Sequence, residues 1–199
     1  MDKRYYWGCF FLFVQAVTIL RNYIDGYNYY FWFCDFAPIL FSIAFFVGNK
    51  DVIKSLINFG LIPQIIFLID FIYAANVGAS PLGITDPALR LTLFSISSTI
   101  LIHLTTSIAL LLTIRIKPKK RVLLYSIVFM FAVYVIMLML TSPQGNVNYV
   151  YSTGDLLKSF NFTIPHIIWL WPFLTFLLVI LPTHGIQYLL YRLFNKNGA

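Results

Sequence analysis

Six apolar segments, each long enough for a membrane-spanning helix, are the feature that most constrains the fold of this 199-residue chain. A helix needs about 20 mainly apolar residues to cross roughly 30 Å of hydrocarbon. The segments lie near residues 5–24, 29–48, 55–75, 91–114, 122–142 and 163–191. We therefore predict an all-α bundle of six transmembrane helices, which forms a single polytopic membrane domain over residues 1–199.

The positive charges are concentrated on one side of this predicted bundle. Eleven of the 14 Lys and Arg residues fall at the termini and in the second and fourth connections, namely Lys3, Arg4, Lys50, Lys54, Arg115, Lys117, Lys119, Lys120, Arg121, Arg192 and Lys196. The other side carries Arg21, Arg90 and Lys158. The positive-inside rule therefore predicts that both termini are cytoplasmic. The net charge of +7 is explained by this orientation, and no nucleic-acid partner is expected.

The two cysteines, Cys9 and Cys34, lie at opposite depths of the predicted bundle. Cys9 is near the cytoplasmic end of the first segment and Cys34 is in the outer part of the second, so a disulfide between them is not expected. No metal-binding spacing such as C-x-x-C or H-E-x-x-H is present. We therefore expect no metal and no cofactor.

Three charged residues, Asp35, Asp70 and Arg90, fall in the outer half of the predicted spans. Ionisable groups inside a membrane are costly and commonly functional. The sequence leaves two interpretations open. The three residues form a charge-paired cluster that fixes helix packing, or Arg90 binds an anionic head group or a carboxylate of a substrate.

The fourth segment carries a polar stripe around its one histidine. Ser95, Thr99, His103, Thr106 and Ser107 recur at helical spacing, which is typical of polar contacts between neighbouring membrane helices. Catalysis is the alternative, because a cysteine and a histidine together can act as nucleophile and base. Cys34 lies roughly 8 Å deep and His103 roughly 18 Å deep at 1.5 Å per residue, which leaves their contact open.

Three stretches of the chain resemble a family of multipass membrane enzymes. The sequence YFWFCDF at 30–36 and the sequence HLTTSIALL at 103–111 look like spans of the androgen-induced-gene family of lipid hydrolases. In that resemblance His103 falls on the catalytic histidine, and Cys34 falls where the hydrolase branch has a nucleophilic threonine. The sequence GNVNY at 145–149 is similar to the related transmembrane cysteine acyltransferase branch and its bacterial cousins.

The resemblance implies a lipid acyl-ester hydrolase or acyltransferase that works within the bilayer, with membrane lipids as partners. Cys34 would attack the ester carbonyl and His103 would serve as base. A hydroxyl or amide from Thr106, Asn146 or Asn148 would stabilise the oxyanion. The residues expected to contact substrate are Asp35, Asp70, Arg90, Thr106, Asn146, Asn148 and His166.

Two other classes of protein remain open on the sequence. The same charged residues and His103 suit a small transporter or channel with a polar pathway through the membrane. The chain lacks the paired, Gly- or Pro-broken segments that many transporters carry in their two halves. The third class is a membrane scaffold without catalysis, in which the polar residues serve packing alone.

Overall fold

The described part of the chain is helical, as the hydropathy pattern predicts. The computed structural model describes residues 2–26, 30–84, 92–143, 146–152, 164 and 166–195, and these contain no β-strand. Its long helices are α1 (Lys3–Asp25), α2 (Phe33–Val47), α3 (Lys50–Val77), α4 (Leu93–Thr113), α5 (Lys120–Leu140) and α6 (Ile167–Asn195). Five of them are long and apolar enough to cross a membrane, whereas α2 has only 15 residues.

The helices expose large apolar side chains and bury several charged ones. On α3, Ile69 is 63% exposed while its neighbour Asp70 is 1% exposed. Arg21, Asp35 and Lys54 are likewise buried, and large apolar side chains cover the outer surface of the helices. A bilayer favours helices that expose apolar side chains and keep charged side chains inside. The length and composition of the helices are therefore those of an integral membrane protein.

A two-residue connection makes α2 and α3 antiparallel. Gly48 ends α2 in the left-handed conformation, and the Asn49 side chain accepts hydrogen bonds from the first amides of α3. Arg4 at the start of α1 lies against Gly48, so α1 begins where α2 ends. Lys54 and Gln187 are in contact, so α3 begins near the end of α6. Arg121 at the start of α5 pairs with Asp51, so α5 begins there too. We call this end, where α1, α3 and α5 begin, the basic end.

Aromatic rings form the centre of the bundle. Phe59 on α3 packs edge-on against Phe33 and Phe129, with ring centroids 4.8 and 5.3 Å apart, and lies 6.2 Å from Trp171. Gly60 allows this approach, because a Cβ at that position would clash with the Phe33 ring. These aromatic contacts therefore join α2, α3, α5 and α6.

Helix α4 is interrupted directly after His103. Its two parts are Leu93–His103 and Thr105–Thr113. In a continuous helix the Thr106 amide would bond to Ile102 O. Here the Thr106 amide donates to Gln64 Oε1 at 3.2 Å, and Ile102 O accepts from the Thr105 hydroxyl at 2.7 Å. The Gln64 side chain of α3 therefore stabilises the interruption that follows His103.

Candidate active site

The structure brings Cys34 and His103 to one cavity of about 400 Å³. Gln64 and Asn148 also line it, and most of the remaining wall is aromatic or aliphatic. Phe67 and Trp171 are among the aromatic residues of that wall. A largely apolar cavity with a few polar groups is the usual form of a small-molecule site.

The protonation of the His103 ring follows from its hydrogen bond. Nδ1 lies 2.8 Å from the carbonyl oxygen of Thr99, one helical turn earlier. A carbonyl can only accept, so Nδ1 carries a proton, and in the neutral form of the ring Nε2 is the nitrogen with the lone pair. Phe67 stacks on the imidazole with 3.6 Å between ring centroids and 9° between planes. The His103 ring is thus held in place, and Nε2 is the nitrogen that is free to act as a base.

Cys34 lies in the first turn of α2, and Asn148 holds that turn in place. The Asn148 side chain accepts from the Phe33 amide at 3.0 Å and donates to Phe31 O at 3.1 Å. Asn148 itself has φ +52°, a conformation that asparagine tolerates better than most residues. Cys34 Sγ lies 3.7 Å from Asp35 Oδ1, so the thiol's hydrogen-bond partner is this carboxylate.

The carboxylate that contacts Cys34 belongs to a buried ion pair. Arg21 Nη2 lies 2.9 Å from Asp35 Oδ1 and 3.0 Å from Oδ2, and Asn22 Nδ2 donates to Oδ2 at 3.1 Å. Arg21 Nη1 donates to the Thr99 hydroxyl at 3.2 Å. The carbonyl of Thr99 accepts a hydrogen bond from His103 Nδ1. One network of polar contacts therefore runs from Cys34 to His103 through α1 and α4. The sequence analysis missed Arg21 and counted it only as a charge of the outer loops.

Asp35 pairs with a residue outside the predicted cluster of Asp35, Asp70 and Arg90. Its charge partner is Arg21. Asp70 accepts from the Ser80 hydroxyl at 2.6 Å and from the Leu82 amide at 3.0 Å, near the end of α3. Arg90 lies outside the described residues, so its role stays a prediction.

The other predicted substrate contacts have structural partners of their own. The Thr106 hydroxyl donates to Gln64 Oε1 at 2.7 Å. The Asn146 side chain bonds to the backbone of Tyr151 and Ser152 and so organises its own loop. His166 is exposed and starts α6 with φ +55°. Of the predicted donors, Asn148 alone is among the residues that line the cavity.

Gln64 is the functional candidate that the sequence analysis did not single out. Its Oε1 accepts from the Thr106 amide, which can only donate, so the other end of the side chain is the Nε2 amide. Nε2 makes a long contact of 3.4 Å to the Thr105 hydroxyl. Gln64 is therefore a cavity-lining donor that is only weakly engaged. A glutamine in the middle of the apolar run LIPQIIFL was the available signal.

The described residues contain no group of three or more His, Cys, Asp or Glu side chains that could hold a metal ion. Both cysteines are free thiols, with Cys9 exposed on α1 and Cys34 partly buried. Among the residues that line the cavity, Cys34 supplies a thiol, His103 an imidazole, and Gln64 and Asn148 side-chain amides.

Comparison with known proteins gives no relative. No family model, no curated protein and no solved structure matches the chain.

Proposed function

We propose that the protein is an intramembrane lipid acyl-ester hydrolase or acyltransferase in which Cys34 is the nucleophile and His103 is the base. The observation that carries the proposal is that both side chains line one mainly apolar cavity. Apolar walls suit an acyl chain, and the polar groups at Cys34, His103 and Gln64 suit its ester end. The expected partners are membrane lipids, with no cofactor.

The proposed reaction has two steps. Cys34 Sγ attacks the ester carbonyl while His103 Nε2 takes the thiol proton, and the imidazolium then protonates the departing alcohol. The carbon–oxygen bond breaks and a thioester remains on Cys34. Water or a lipid hydroxyl then attacks the thioester, giving a fatty acid or a new ester and restoring the thiol. The attack requires Sγ to rotate from Asp35 Oδ1 towards His103.

The oxyanion of each step needs a nearby donor. We assign this role to Gln64 Nε2, because Gln64 lines the cavity and its amide nitrogen makes only the 3.4 Å contact to Thr105. Losing one such donor in known enzymes lowers turnover about 10²–10³-fold. Arg90 remains a candidate for binding an anionic head group or a carboxylate.

We further propose that all six helices span the membrane with both termini cytoplasmic, so that the basic end faces the cytoplasm. A 15-residue α2 covers only about 22 Å of a roughly 30 Å hydrocarbon layer. Since α2 ends at the basic end, its first turn with Cys34 would lie within the outer half of the bilayer. Reporter fusions at residue 199 and within 143–161 should report opposite sides, and reports from the same side would refute this topology.

The test of catalysis uses purified protein in lipid vesicles with fluorogenic fatty-acid esters of increasing chain length. Cys34→Ala and His103→Ala should each abolish turnover, and the double variant should be little worse than either single. Cys9→Ala is the matched control, because Cys9 is the other free thiol and lies outside the cavity. A covalent acyl adduct on Cys34 should be detected by mass spectrometry in the Cys9→Ala background.

Two results would reject the enzyme. One is turnover by Cys34→Ala at the wild-type rate, and the other is the absence of any ester turnover or acyl adduct. A small transporter is the second candidate, favoured by a second buried polar cluster around Lys54 near the basic end. The aromatic core at Phe59 lies between that cluster and Gln64 along α3, so a conduit would have to open it. Substrate or ion flux without acyl transfer would support this candidate.

A further inference from the structure

The second buried polar cluster lies where α3, α5 and α6 meet. Its members are Lys54, Asn58, Ser126, Thr183, His184 and Gln187. Lys54 and Gln64 are ten residues apart, or about 15 Å along α3, so this cluster is separate from the Cys34 cavity. Nothing in the proposed acyl chemistry uses it.

The hydrogen bonds of the cluster have a defined direction. Gln187 Nε2 donates to the carbonyl of Lys54 at 3.0 Å, which fixes the orientation of that amide. The same Nε2 donates to Asn58 Oδ1 at 2.6 Å, so Asn58 Nδ2 faces Ser126 Oγ at 3.0 Å and His184 Nδ1 at 3.3 Å. His184 Nδ1 therefore accepts, and its ring proton is on Nε2. The three helices are joined by one ordered network.

Three polar atoms of this cluster are left without a hydrogen-bond partner among the described residues. They are Lys54 Nζ, Thr183 Oγ1 and Gln187 Oε1. All three residues are 0% exposed. Thr183 and Gln187 are one turn apart on the same face of α6, and Gln187 bonds to the backbone of Lys54. The three residues with unpartnered atoms thus lie at one crossing, between α3 and α6.

The Lys54 side chain is buried, and its ammonium has no hydrogen-bond partner among the described residues. A buried ammonium without a counter-charge is strongly unfavourable. The chain has seven acidic residues, and the five that lie in the described part have other partners. Those partners are Arg4 for Asp2, Ser95 for Asp25, Arg21 for Asp35, Arg121 for Asp51, and Ser80 with Leu82 for Asp70.

We infer that Lys54, with the Thr183 hydroxyl, forms a binding site for one small inorganic anion such as chloride. The ammonium supplies charge and donors, and the hydroxyl supplies a further donor. The complete burial of Lys54, Thr183 and Gln187 selects a small ion over a lipid head group. The bound anion would neutralise the helix crossing and so stabilise the bundle near the basic end.

The test is thermal unfolding of the purified full-length protein during a chloride titration, with gluconate replacing chloride at constant ionic strength. The wild type should show a saturable rise in Tm, because a ligand that binds only the folded state stabilises it. Lys54→Met should lose the rise, and Thr183→Val should need more chloride for it. Lys50→Met, which removes an exposed charge from the same helix, should behave like the wild type.

Several results would contradict the proposed anion site. No chloride dependence in the wild type, an equal effect of gluconate, or an unchanged chloride response in Lys54→Met would each overturn the anion site. If Lys54→Met does not fold, Thr183→Val decides, because it keeps the charge and the shape but removes the hydroxyl. An unaltered chloride response in Thr183→Val would then reject the inference.

Discussion

Removing Arg21 should destabilise this protein far more than removing an exposed arginine. The Arg21 and Asp35 side chains are 7% and 2% exposed, and their charged atoms meet at 2.9 Å. Arg21→Met leaves the Asp35 carboxylate buried, with Asn22 as its remaining strong donor. Breaking one partner of a buried pair costs about 3–5 kcal/mol. This is a large share of the roughly 5–15 kcal/mol that stabilises a typical domain.

The measurement is unfolding of purified variants in mild detergent, followed by helical circular dichroism. Arg4→Met is the matched control, because Arg4 pairs with Asp2 at 2.9 Å but the two side chains are 43% and 55% exposed. An exposed pair of this kind contributes about 0–1 kcal/mol. The double variant Arg21→Met/Asp35→Leu should recover most of the loss, since it leaves no unpaired charge. An Arg21→Met cost no larger than that of Arg4→Met would refute the reasoning.

Three further changes test how the site is held, each by the same unfolding measurement. Gly60→Ala should cost about 1–3 kcal/mol by overpacking, because its Cβ would lie 2.6 Å from Thr106 Cγ2, whereas Gly185→Ala has no such neighbour and should not destabilise. Gln64→Leu should cost about 1–3 kcal/mol, since it leaves the buried Thr106 amide without an acceptor. Asn148→Ala should cost about 0.5–2 kcal/mol through the lost cap of α2, and Asn148→Gly should cost less because glycine accepts φ +52°.

Hydropathy predicted the helices well because each helix has to satisfy its own backbone within the bilayer. The predicted segments 5–24 and 122–142 correspond to α1 and α5 within about two residues. The larger differences have local causes. Helix α3 begins at Lys50, ahead of the predicted residue 55, because Asn49 caps a polar first turn. Helix α2 begins at Phe33, after the predicted residue 29, and the Phe33 amide donates a hydrogen bond to the Asn148 side chain.

The contacts between helices were the part that the sequence could not supply. The depth estimate left a 10 Å gap between Cys34 and His103 for straight helices of equal tilt. In the structure α2 starts late, α4 is interrupted after His103, and both residues line one cavity. Both features depend on side chains of distant segments, Asn148 and Gln64, and helix periodicity carries no signal for such pairs.

Two basic residues are buried in the part of the chain that the structure describes, namely Arg21 and Lys54. Each was counted towards the orientation of the bundle, yet neither is exposed at a membrane surface. Without them the balance of Lys and Arg changes from eleven against three to ten against two, so the proposed orientation does not depend on either. Arg21 is balanced by Asp35 beside the cavity, whereas Lys54 has no carboxylate partner among the described residues. Arg21 therefore contributes to packing beside the cavity, whereas we have proposed an anion as the partner of Lys54, and the charges other than these two still favour the proposed orientation.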